Sequence, residues 1–197
     1  MNADLYEQFI SLKNSGRKVE TKVAFDSFIA TFKTLDQKRA WVFSFLEAGN
    51  YGHKVRHEIY ENLVYPVLLD GYLGRDASSV AWLARTASNL YALKSPHPSL
   101  KDKTELALFK EAYSLEPREE IRANLLKTLI NWFSFSQHEW PAGILYGMDG
   151  ANVEQCEEIL QEIDFARSLD RQNKYDGYWS EFEAKVNEYI ERLRAYA

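Results

Sequence analysis

The chain has 197 residues, of which 46% are hydrophobic, 14% aromatic and 27% charged, and its net charge is −5. That supplies enough apolar material for the core of one domain and excludes disordered and collagen-like chains. No run of four basic residues occurs, so the basic face that would neutralise nucleic-acid phosphates is missing. The acidic balance favours a basic partner instead.

Cys156 is the only cysteine, which excludes an internal disulfide and a cysteine-rich zinc site. The opening MNADLYEQF lacks a basic segment followed by an apolar one, so no secretory signal is expected. Apolar runs such as NLVYPVLL are far shorter than a membrane span. The expected location is the cytoplasm, with no membrane partner.

Glycine and proline punctuate the chain into pieces one or two helices long. Alternating apolar and polar runs bounded by hairpin turns are missing, so strands are not expected. Eight or nine helices are. In chain order, the first clear apolar face is Phe25, Phe28, Ile29, Phe32 and Leu35, on a helix from about Thr21. Asp36 is placed to cap the next helix, which carries WVFSFL, Trp41 to Leu46. A segment apolar nearly all round predicts a helix buried on most sides, and LINWFSF, Leu129 to Phe135, has the same character. Between them, Asp76, Ser78 or Ser79 starts a helix with Val80, Leu83, Ala87 and Leu90 inward, ended by KSPHPS.

Towards the end, a helix runs from about Asn152, its cap, to about Arg171, with Val153, Cys156, Leu160 and Ile163 as its stripe. Its early Glu154, Glu157 and Glu158 and late Arg167 and Arg171 suit the helix dipole. The linker QNKYDG turns the chain back into the last helix. There Trp179, Phe182, Val186, Tyr189, Leu193 and Tyr196 recur at alternating spacings of three and four, one stripe at 3.6 residues per turn. These two helices read as an antiparallel hairpin.

The segment ELALFKEAYSLEPREEIRANLLKTL, residues 105–129, resembles a tetratricopeptide repeat junction: Phe109, Ala112 and Pro117 reproduce its F-x2-A-x4-P spacing. Glu105 and Leu126 stand where that family has alanine and glycine, and no second copy follows at a period of 34. The resemblance implies a stack of α–α hairpins, a class that holds proteins or peptides, with an α–α superhelix as its extended form.

Two places carry candidate chemistry. His53 and His57 share a helix face at i and i+4, with Glu61 four further on, and are the alternative reading as metal ligands. Lys54 and Arg56 beside them repel a cation, and the His-Glu-x-x-His pattern is absent. The second place is SFSQHEWPAGILYGMDG, Ser134 to Gly150. A connection this long either packs or functions. Its packed form has Pro141 opening a short helical turn through Ile144 and Leu145, and Trp140, Ile144, Leu145 and Tyr146 folded onto the core. Its functional form is a partner-binding surface of His138, Glu139, Trp140, Tyr146 and Asp149, since Trp and Tyr within a polar rim are what interfaces use as anchors. Glu139, adjacent to His138, is poorly placed to orient it for general-base work. GYLGRD, Gly71 to Asp76, lacks the lysine and preceding strand of a phosphate loop.

The sequence therefore predicts one all-α domain, residues 1–197, built of antiparallel hairpins. It predicts a non-catalytic protein that binds another protein or a peptide, as an adaptor or neutralising protein, with no cofactor. A homodimer is the arrangement that would otherwise cover its aromatics. The alternative is an enzyme using histidine and carboxylates, with or without a metal.

Overall fold

The computed structural model describes residues 2–49 and 54–195. It divides into two compact units, Met1–Lys103 and Thr104–Ala197. Both are all-α apart from one tiny hairpin, and no described helix is long and apolar enough to cross a membrane.

The first unit contains α1 (Asn2–Asn14), α2 (Lys18–Ile29), α3 (Leu35–Ala48), α4 (His57–Ile59), α5 (Tyr65–Leu73), α6 (Ala77–Arg85) and α7 (Ala87–Leu90). A π-helical stretch, Tyr60–Val64, joins α4 to α5 in one rod. Helices α1 and α2 pack as a hairpin through Gly16, whose φ of +74° suits a residue without Cβ. Phe9 and Phe28 are fully buried between them, and Phe28 stands 5.1 Å from the Trp41 ring of α3 and 5.7 Å from Tyr6.

Several expectations change here. Thr34, not Asp36, caps α3: its hydroxyl accepts from the Gln37 amide at 3.2 Å. The chain enters the helix two residues earlier than expected, and Leu35 at its first position is 47% exposed. WVFSFL is not buried on most sides. Only Val42 and Leu46 are fully inside, while Trp41, Phe43 and Phe45 keep an edge in solvent.

The enclosed helix is α6, where Ala77, Ser79, Val80, Ala81, Trp82, Leu83 and Ala84 are all buried. Small residues let it approach α5 closely. A Cβ on Gly71 would fall 2.0 Å from the Ser79 Oγ. Asp76 caps α6, accepting from the Ser79 amide at 3.0 Å and its hydroxyl at 2.5 Å, and pairs with Arg39 at 2.8 Å. The predicted helix to Leu90 breaks at Thr86, whose hydroxyl donates to the Trp82 carbonyl at 2.7 Å. Buried Asn89 in α7 then donates to the Val55 carbonyl at 2.7 Å and accepts from its amide at 3.0 Å, satisfying a short extended segment.

The second unit contains α8 (Glu105–Leu115), α9 (Glu119–Ser136), β1 (Leu145–Tyr146), β2 (Asp149–Gly150), α10 (Val153–Leu169) and α11 (Asp176–Ala195). With the α4–α5 rod taken once, ten helices stand among the described residues, the extra one being short α7. Helices α8 and α9 form one hairpin, α10 and α11 another. Pro117 lies in the α8–α9 connection, and Phe109, Ala112 and Leu125 are buried. Helix α9 keeps a stripe rather than being enclosed: Leu129 and Phe133 are inside, Trp132 is half-buried and Phe135 is 47% exposed.

Asn152 caps α10 in a reciprocal capping box with Gln155, as its sequence position indicates. Cys156, Ile159, Ile163, Ala166 and Leu169 are buried, with Ile159 taking the inward place expected of Leu160. In α11, Trp179, Phe182, Val186 and Ile190 are inside, Tyr189 and Leu193 are half-buried, and Tyr196 lies outside the described residues. The turn between these helices is stapled by Asp170. Only 4% exposed, its carboxylate accepts from the Lys174 amide at 3.1 Å, the Tyr175 amide at 2.7 Å and the Trp179 indole at 3.4 Å.

The strands were not expected. Leu145 pairs with Gly150 and Tyr146 with Asp149, antiparallel, across a two-residue turn led by Gly147 at φ +67°. Two residues a side are too few to leave an alternating pattern, so only the glycine marked the place.

Candidate functional site

The stretch 134–150 is a packed connection on one side and an open surface on the other. Beyond α9 the chain turns through residues 137–142, with the Trp140–Pro141 peptide cis, and enters β1 without the helical turn expected after Pro141. Ile144 is fully buried, and the Ala151 amide donates to its carbonyl at 2.7 Å, closing the loop. Helix α11 holds the rest. Arg192 donates to the Pro141 carbonyl at 2.7 Å, and its guanidinium lies 4.9 Å from the Trp140 ring and 5.4 Å from the Tyr189 ring. Gln137 donates to the Tyr178 hydroxyl at 3.0 Å and accepts from Lys185 at 3.1 Å.

The five nominated residues are distributed over different neighbours. Trp140 is occupied with Arg192 of α11. His138 and Glu139, expected to diverge, meet side chain to side chain at 3.2 Å, but both are exposed. Asp149 is exposed beside the hairpin tip, where Met148 is 85% exposed. Tyr146 turns the other way. Its hydroxyl donates to Glu158 of α10 at 2.6 Å, and its ring meets Trp132 of α9 edge-on at 6.2 Å. That hydrogen bond, then burial, then the Glu158 charge raise the Tyr146 pKa, because each disfavours the phenolate.

Tyr146 thereby lines a groove of about 480 Å³ between α8, α9, β1 and α10. Trp132 shares the groove, and Lys110, Glu158 and Glu162 stand around it. Lys110 is ion-paired with Glu162 and lies 5.5 Å from the Phe165 ring. Sequence reasoning missed Trp132, Glu158 and Glu162 as groove residues. Trp132 was concealed in a run that looked wholly buried, Glu158 was read only for its place near the start of the helix, and nothing local marked Glu162.

Charge separates the two units sharply. Lys and Arg number 14 against 11 Asp and Glu in residues 1–103, a net of +3, and 10 against 18 in residues 104–197, a net of −8. The acidity of the chain belongs wholly to the unit with the aromatic groove.

Of the alternative metal ligands, His53 lies outside the described residues. His57 Nε2 stands 3.1 Å from Glu61 Oε2, an i,i+4 pair about half exposed. Among the described residues no group of three or more His, Cys, Asp or Glu is placed to hold a metal ion. Cys156 is buried, and burial, with Glu157 adding to it, pushes its thiol up to about 11. No protein-family model, curated protein or solved structure matches this chain.

Proposed function

We propose that the protein binds a segment of another protein or a peptide, as an adaptor or neutralising protein of the cytoplasm. The second unit's aromatic groove receives a basic side chain next to an apolar one. The observation that supports this most is the Trp132–Tyr146 pair, edge to face in an open groove, on a unit of net charge −8. The aromatic faces offer contact area at little entropic cost. Glu158 beside them favours a cation, Glu162 being paired with Lys110, and the field of the unit steers it there. His138, Glu139 and Asp149 belong to the polar surface of the same connection, while Trp140 positions that connection through Arg192.

Fluorescence anisotropy of a labelled Arg-Leu-Lys-Arg peptide tests this reading. Binding that Trp132→Ala and Tyr146→Ala each weaken by about tenfold is expected, as for an anchor residue. Binding indifferent to both substitutions, or no binding at millimolar peptide, would refute it.

A further inference from the structure

A second groove of the same unit has the opposite charge. It lies between α9 and the α10–α11 connection, with a volume of about 310 Å³. Arg122 and Lys127 line it from α9, and Arg171 and Lys174 from the connection. Four cations in one groove reverse the local sign on a unit of net charge −8.

The carboxylates nearby do not balance them. Asp170 is buried and committed to two backbone amides and the Trp179 indole. Glu119 serves both Arg122, by hydrogen bonds, and Arg171, at 3.6 Å. Lys127 and Lys174 have no carboxylate partner among the described residues, and Lys174 leans over the Tyr175 ring at 5.1 Å. Arg122 is held further by donating to the Leu169 carbonyl at the end of α10, which also accepts from the Arg171 amide at 3.0 Å. Two of the four positive charges thus remain available to an incoming anion.

The shape of the groove selects among anions. Its floor is apolar, formed by Leu126 and Ile130 of α9. From Arg122 to Ile130 the helix rises about 12 Å at 1.5 Å per residue. An extended peptide covers that length in about four residues at 3.3 Å each. A compact anion would occupy one point of such a groove and leave the other cations and the apolar floor unused.

We propose that this groove docks an acidic peptide segment, carboxylates flanking an apolar residue, from a partner protein. Lys127 and Lys174 receive its carboxylates, Leu126 and Ile130 receive the apolar side chain, and Arg122 and Arg171, shared with Glu119, border the site. This site does not depend on the aromatic groove, which would take the opposite charge.

The test is anisotropy of fluorescein-labelled Glu-Asp-Leu-Asp-Glu against the full chain. The acidic peptide is expected to bind and to weaken as salt rises. The double variant Lys127→Glu, Lys174→Glu is expected to reduce its affinity about tenfold or more. Both lysines are exposed, so circular dichroism should show unchanged helix; if it does not, the Lys127→Ala, Lys174→Ala pair is read in its place. Tyr146→Ala should leave acidic-peptide binding unchanged, which keeps this outcome separate from that at the aromatic groove. Absence of binding at millimolar acidic peptide, equal binding by the lysine variants, or loss on Tyr146→Ala overturns the proposal. So does inorganic phosphate competing as well as the peptide does, since a compact anion would then be the ligand.

Discussion

The two units spend their charged and apolar residues differently. In residues 1–103, carboxylates hold structure together: Asp76 caps α6 and pairs with Arg39, and Glu58 is bonded to Lys13. There, α6 is enclosed on most of its surface. In residues 104–197, the acids of α10 mostly face outward, α9 keeps Trp132 and Phe135 partly in solvent, and the surface retains two grooves of opposite sign. A unit that commits its carboxylates to caps gains rigidity. One that leaves them on the surface keeps a field with which to attract a partner.

Glycine substitutions test that contrast most severely. Gly71→Ala places a methyl group into Ser79 and should destabilise the first unit by roughly 3 kcal/mol or more, read from chemical denaturation. A loss below about 1 kcal/mol would mean that α5 and α6 separate more easily than their packing indicates. In the second unit the largest loss is expected at the α10–α11 turn. Asp170→Ala leaves two backbone amides and an indole without their acceptor and should cost about 2–3 kcal/mol, with Asp170→Asn recovering part of it. If alanine and asparagine behave alike, the carboxylate is not the staple.

Acid titration sharpens the comparison further. Burial alone would raise the Asp76 pKa, but the Ser79 hydroxyl and amide, followed by the Arg39 charge, outweigh it and hold the carboxyl below the usual aspartate range. Glu58 is likewise depressed: burial opposes ionisation, and Lys13 reverses the balance. A depressed carboxylate adds stability that is fully present above its unfolded pKa and lost as pH falls through the folded one. Thermal melts followed below the ordinary carboxylate range should therefore show a loss that Asp76→Asn reduces, because asparagine still caps but does not titrate. An unchanged acid profile in that variant would remove Asp76 from the account. The smallest effect is a gain. Gly177 in α11 has open space around its Cβ position, so Gly177→Ala should stabilise the second unit by about 0.5–1 kcal/mol. A loss there would show that the start of α11 is more crowded than its surroundings indicate.

The α10–α11 hairpin was the most readable part of the chain. Its cap at Asn152 and the inward Trp179, Phe182 and Val186 follow from neighbours a few residues apart. Asp36 was the expected cap of α3, but the helix starts two residues earlier and Thr34 takes that place. The break at Thr86 and the two-residue hairpin were hidden because each is shorter than the period that would reveal it. Of the nominated surface, Tyr146 was placed in a groove, but Trp140 was taken by Arg192, a residue fifty-two positions away in sequence. The lysines and arginines of the second groove looked scattered along the chain and came together only through the turn that Asp170 holds.

Local order therefore belonged to the sequence by itself: helix identity, caps and inward stripes depend on side chains within a turn or two, and 3.6-residue spacing records them. What the tertiary structure alone decided was which polar and aromatic residues meet. Close approaches between neighbouring helices, such as Gly71 on Ser79, and grooves assembled from two to four parts of the chain depend on contacts across elements, and no periodicity encodes those distances.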